Sequence, residues 1–90
     1  LERYKASIIA LNNSLQEYPN TKYREEIMYL ILKSNFLLAK NSIQSKKKER
    51  FQNAIDAYYS FAEEYPSSKY LNEAESIYQR SNKYLSINNN

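Results

Sequence analysis

Three pairs of carboxylates stand close together in this sequence: Glu25 with Glu26, Glu63 with Glu64, and Glu73 with Glu75. Paired carboxylates can do general acid–base chemistry or hold a hard cation, but only if they converge on one point. Adjacent residues on a helix point about 100° apart, so the first two pairs diverge wherever the chain is helical. They suit helix-end electrostatics and solubility instead. The chain has no His, no Cys and no Gly. That removes the commonest general base, the thiolate nucleophile and every glycine-built phosphate loop. No enzyme activity, cofactor or metal site is expected.

Lys46-Lys47-Lys48, followed by Arg50, is the densest charge run. It could meet an acidic partner or lipid headgroups; the plainer reading is a solvated turn. At the end of one helix the lysines would oppose the dipole favourably, and at the start of the next unfavourably. Glu49, Asp56, Glu63 and Glu64 break up any basic face, and the net charge is only +3. Nucleic acid is not an expected partner. Ten tyrosines and three phenylalanines supply most of the bulky side chains. At helical spacing tyrosines mostly build core seams, with the apolar ring inside and the hydroxyl at the edge. Tyr29 and Tyr59 lie off the main stripe and are the candidates for partner contact.

The elements that position these residues follow from a repeat. "EYPNTKY" at Glu17–Tyr23 returns as "EYPSSKY" at Glu64–Tyr70, a shift of 47 residues. The same shift superposes Arg3 on Arg50, Ile8 on Ile55, Ala10 on Ala57, Glu26 on Glu73 and Leu38 on Leu85. Leu1, Tyr4, Ile8, Leu11, Leu15 and Tyr18 form a stripe of helical period, and Phe51, Ile55, Tyr58, Ala62 and Tyr65 another. Pro19 and Pro66 stop these helices and push Tyr18 and Tyr65 out of helical geometry. Asn20-Thr21 and Ser67-Ser68 are then expected to cap the next helices, with Tyr23 and Tyr70 folding back over the corner. The pattern predicts an all-α fold of four antiparallel helices over roughly 1–18, 21–43, 47–65 and 69–86. The second is apolar on more than one face and should be sandwiched. The fourth is more polar, as an end cap would be, and Asn88-Asn89-Asn90 reads as a frayed tail.

Ninety residues make one domain's worth of chain with a thin core. A hydrophobic fraction of 42 % against 26 % charge is globular rather than disordered. No apolar run is long enough to span a membrane. The chain opens on Leu1, already in a helical pattern, and is expected to be a piece of something longer. The lack of a targeting signal therefore carries no information about location.

From Tyr23 to Pro66 the chain reads helix, "LAK" at Leu38–Lys40, "AIDAYYSF" at Ala54–Phe61, then "YP". This resembles one full tetratricopeptide (TPR) repeat, over 23–66, flanked by half repeats. The family's period is about 34 residues; here the excess lies mainly in Asn41–Arg50. The string Ala54, Ile55, Tyr58, Phe61, Tyr65, Pro66, Ser68, Tyr70, with "YPNTKYREE" upstream and "AKNSIQSKKKERF" as connection, is similar to the C-terminal repeats of the BamD family. These are outer-membrane assembly lipoproteins, also called competence or DNA-uptake lipoproteins. The resemblance implies a right-handed TPR-like α-solenoid and a scaffold role. It implies a location on the periplasmic face of the outer membrane, through a lipid anchor outside these residues. It implies docking of a periplasmic POTRA-type domain of the barrel-forming insertase, with no catalysis. A TPR adaptor for a peptide or another cell-envelope partner is the alternative. The residues expected to meet a partner are Lys46, Lys47, Lys48, Tyr59, Ser67, Lys69, Tyr70, Asn72 and Glu73. The corner motif itself, Tyr18, Pro19, Thr21 and Tyr23 with Tyr65, Pro66, Ser68 and Tyr70, is expected to be structural.

Overall fold

A computed structural model describes residues 1–88. Asn89 and Asn90, part of the expected tail, lie outside the described residues. Four helices follow in order: α1 (Glu2–Glu17), α2 (Arg24–Lys40), α3 (Gln44–Glu64) and α4 (Leu71–Ile87). α1 and α3 both stop one residue before the Tyr-Pro step, at Glu17 and Glu64, where proline excludes helical geometry from its predecessor. α2 and α4 are of equal length and related by the 47-residue shift. The repeat in the sequence is thus a repeat of structure. Among the described residues there is no strand, and the arrangement is all-α and TPR-like.

α2 packs against each of the other three helices, as its two-faced apolar pattern predicts. α1 lies on α2, and α4 lies on α3 and touches α2. The Cα positions span 41 × 29 × 15 Å. Fifteen ångströms accommodates two layers of helices at axis separations of roughly 8–10 Å. α2 and α4 abut in one layer, whereas α1 and α3 make no close backbone contact in the other.

The core runs along the two faces of α2. Leu32, Ala39, Ala54, Phe61 and Ala74 are fully buried, and Tyr29, Phe36, Phe51 and Ile77 nearly so. Near the corners, Tyr29 stacks flat on Tyr70 (centroids 4.4 Å apart, 6° between planes) and touches Phe61 at 6.1 Å. At the other end Phe51 stacks on Tyr84 at 4.5 Å and meets Phe36 edge-on. These offset and edge contacts are the arrangements aromatic quadrupoles favour. Tyr29, expected to be available to a partner, is a core residue: a helix sandwiched between neighbours buries positions off its main stripe.

The loops differ from expectation in two places. The corners occupy six residues, Tyr18–Tyr23 and Tyr65–Tyr70, between helices. In each, two tight turns follow one another: Thr21 N–H donates to the Tyr18 carbonyl and Arg24 N–H to the Thr21 carbonyl; Ser68 and Leu71 repeat this with Tyr65 and Ser68. The Thr21 and Ser68 hydroxyls therefore do not cap the helices. They accept from the Tyr23 and Tyr70 N–H groups, at 3.3 and 3.0 Å, inside the turn. The expected long lysine-rich connection is instead helix. Only Asn41–Ile43 separate α2 from α3, and Lys46, Lys47 and Lys48 fall in the first turns of α3. The 47-residue period is accommodated by a 21-residue α3. At the opposite terminus of the chain, Asn88 caps α4, its backbone N–H and its Nδ2 both donating to the Tyr84 carbonyl at 3.0 Å.

Candidate interaction surface

The antiparallel order brings both corners to one end of the molecule, where side chains stitch them together. Arg24, which opens α2, donates through Nε and Nη2 to the Glu64 carboxylate at 2.5 and 3.1 Å. Its Nη1 donates to the Pro19 carbonyl at 2.9 Å. One guanidinium thus spans both corners with the fork geometry that suits a carboxylate. The Ser68 hydroxyl donates to Glu25 Oε2 at 2.5 Å. The Arg24 guanidinium holds the Glu64 carboxyl below the usual carboxylate range, and the Arg24 guanidinium is itself held above its usual value by that bond.

Ser67, Lys69 and Asn72 are exposed on the outer edge of this end. Lys22 and Lys69 hang over the rings of Tyr23 and Tyr70, at 5.2 and 5.3 Å, so the repeated motif places two Lys–Tyr pairs along one rim. Glu73 lies in the first turn of α4 and bridges back to α2. Its carboxylate lies 3.5 Å from Lys33 Nζ, and the Tyr29 hydroxyl and Lys33 together hold it below the usual range. The Tyr29 hydroxyl finds no partner of hydrogen-bonding geometry. Burial, with the Glu73 carboxylate beside it, pushes this phenol well up.

The expected partner residues do not form one patch. Ser67, Lys69, Tyr70, Asn72 and Glu73 belong to the corner end. Lys46, Lys47 and Lys48 sit at the start of α3, the far end of a helix about 30 Å long. There Gln44 Nε2 donates to the Tyr84 hydroxyl at 2.6 Å, and Arg50 Nη1 to the Ser42 hydroxyl at 2.6 Å. Tyr59 lies in the C-terminal third of α3, half exposed, its hydroxyl donating to that of Tyr78 at 3.1 Å. Tyr70 is half-buried under its stack with Tyr29. Of the corner residues, Tyr65 and Tyr70 pack inward, whereas Tyr18 and Tyr23 remain 60 % and 55 % exposed. The second corner rests on α2 through Tyr29; the first has no such helix beside it among the described residues.

Sequence reasoning missed Arg24 and Glu64 as a pair. Their partnership spans 40 residues, and the only local sign was that the shift replaces Arg24 by Leu71. Among the described residues no group of three His, Cys, Asp or Glu side chains could hold a metal ion. No helix is long and apolar enough to cross a membrane.

Stacked antiparallel helix pairs with a repeated corner along one edge define a TPR-like helical-repeat protein. Within that class, a family model described as "YfiO: Outer membrane lipoprotein" matches residues 2–88. The chain belongs to this family, the BamD-like outer-membrane lipoproteins. Compared with the curated proteins, it finds no match.

Proposed function

We propose that this chain is a protein–protein docking scaffold of the β-barrel assembly machinery at the periplasmic face of the outer membrane, receiving a POTRA-type domain of the insertase. Membership of the outer-membrane lipoprotein family supports the setting. The observation that carries the docking is the stitched pair of corners. Arg24–Glu64 and Ser68–Glu25 fix two loops in one register, so a partner meets a pre-organised rim rather than loops it must order. Ser67, Lys69, Asn72 and Glu73 are the contacts proposed on that rim. Residues 23–66 act as one full repeat between two half repeats. Recognition is by shape and polar complementarity, with no catalytic step, no cofactor and no nucleic acid. The lysine run at the other end meets a second acidic surface. The membrane is reached only through a lipid anchor outside these residues.

The test is a pull-down from outer-membrane extract with the full-length protein as bait, read by mass spectrometry. Recovery of the insertase, lost when residues 1–90 are removed and weakened by Asn72→Lys or Glu73→Lys, is the expected result. Insertase recovered equally without these residues would refute the reading. So would loss of helicity and of melting temperature in parallel with binding in the Asn72→Lys protein.

A further inference from the structure

Four rings of this protein carry a cation of its own. Lys22 lies over Tyr23, Lys47 over Tyr84, Lys69 over Tyr70 and Arg80 over Phe36, between 4.7 and 6.0 Å from the ring centres. A cluster of three tyrosines on the seam between α3 and α4 has none among the described residues. Tyr58 stacks on Tyr78 at 4.7 Å, and Tyr59 stands edge-on to both at 5.5 Å. Tyr58 and Tyr78 are half-buried, whereas Tyr59 is 51 % exposed and leaves a ring face open. The hydroxyl bond from Tyr59 to Tyr78 ties the open ring to the stacked pair.

The surroundings of these rings are acidic. Glu63 follows Tyr59 by one turn on α3, and Glu75 precedes Tyr78 by one turn on α4, so each shares a helix face with its tyrosine. Both carboxylates are exposed, and neither is in an ion pair among the described residues. The Glu75 charge reaches the seam: burial first, and then this carboxylate, hold the Tyr58 phenol above its usual value. α3 has no Lys or Arg after Arg50, and α4 has none before Arg80, which is turned to Phe36.

The repeat shows that the fold does not require this combination. The 47-residue shift sets Leu11, Asn12 and Ile31 in place of the three tyrosines, and Gln16 and Met28 in place of the two glutamates. The seam between α1 and α2 is built from those uncharged, non-aromatic residues. Rings and carboxylates appear together, in the second unit alone.

We infer that the Tyr58–Tyr59–Tyr78 patch, flanked by Glu63 and Glu75, binds an arginine on the surface of a partner protein. The guanidinium plane stacks on the open Tyr59 ring, as this group does better than an ammonium. Its N–H groups remain free for the carboxylates on either side. A bilayer or a nucleic acid is anionic and is repelled by the same carboxylates, so the occupant is a protein. The patch lies apart from the corner residues and is a second contact surface, whatever docks at the rim.

The experiment titrates the isotopically labelled chain with capped five-residue glycine–serine peptides carrying one central arginine, citrulline or lysine. Citrulline keeps the planar head without the charge. The arginine peptide should shift the ring signals of Tyr59 and Tyr78, and its own δ-methylene protons should move upfield under the ring current. The citrulline peptide should bind roughly threefold or more weakly, the worth of one exposed cation–ring contact. Tyr59→Phe keeps the ring and should bind like the parent. Tyr59→Leu should abolish the upfield shift, and Glu75→Lys should weaken the arginine peptide. Tyr59 and Glu75 are exposed, so these variants retain the fold, which circular dichroism checks. The proposal fails if arginine and citrulline bind alike, or if the arginine peptide shifts Tyr23 and Tyr70 instead. It fails equally if the upfield shift survives in the Tyr59→Leu chain, and a lysine peptide that binds as tightly as arginine would refute the stacking.

Discussion

Ser81 is fully buried on α4, and its hydroxyl has no hydrogen-bond partner. A buried polar group left unpaired costs about 1–3 kcal/mol, so Ser81→Ala should make the protein more stable. Alanine also gains roughly 0.5 kcal/mol of helix propensity over serine. A cavity the size of one oxygen gives back part of this, leaving a net stabilisation of about 1–2 kcal/mol. For a domain of this size each kcal/mol is worth roughly 4–8 °C in melting temperature. The repeat provides an internal control. Ser34 holds the same position on α2 but is only half-buried, so its hydroxyl reaches water and Ser34→Ala should gain the propensity term alone. Urea and thermal unfolding followed by circular dichroism would measure both variants, with an unchanged urea slope as the check on two-state behaviour. A Ser81→Ala protein no more stable than Ser34→Ala would show that the Ser81 hydroxyl is satisfied, and the reasoning would be refuted.

Three further outcomes are expected. The Glu64 carboxyl is held below its ordinary value of 4.5, so its ion pair with Arg24 stabilises the fold above that pH and is lost as pH falls through the depressed folded value. Arg24→Ala should therefore lower the melting temperature at neutral pH, and the gap from the parent should close in acid; a gap independent of pH would contradict the pairing. Tyr70→Ala removes the ring stacked on Tyr29 and should cost about 2–4 kcal/mol, whereas Tyr23→Ala, at the same place in the motif but exposed, should stay within roughly 0.5 kcal/mol in denaturant unfolding. Phe61→Ala empties a site with no solvent exposure and should cost about 3–5 kcal/mol. That is much of the roughly 5–13 kcal/mol available to a chain of 90 residues, so a near-native melting curve for this variant would contradict the placement of the core.

The sequence was sufficient for whatever depends on neighbours within a few residues. Proline acts on its own φ and on the residue before it, so the ends of α1 and α3 were legible to one residue. The apolar period fixed helix type, and the 47-residue shift fixed the matching of α1 with α3 and of α2 with α4. The start of α3 was not legible. Asn41–Arg50 contains neither Gly nor Pro, and lysines are good helix formers that fit the end of one helix or the beginning of the next. Tertiary packing decided the matter: Arg50 reaches the buried Ser42 hydroxyl and Gln44 reaches Tyr84, so the chain turns within three residues.

What packing alone decided is the difference between residues that the repeat makes equivalent. Tyr23 and Tyr70 occupy the same motif position, yet Tyr70 is covered because Tyr29 lies against it. Tyr29 and Ser76 correspond by the shift, yet α2 is covered on two sides while Ser76 faces solvent. Arg24–Glu64 and Ser68–Glu25 likewise join residues 40 and 43 positions apart. Backbone preferences act over a few residues and can be read along the chain. Burial and long-range pairing depend on which surfaces the other helices cover, and that is settled only when the helices stack.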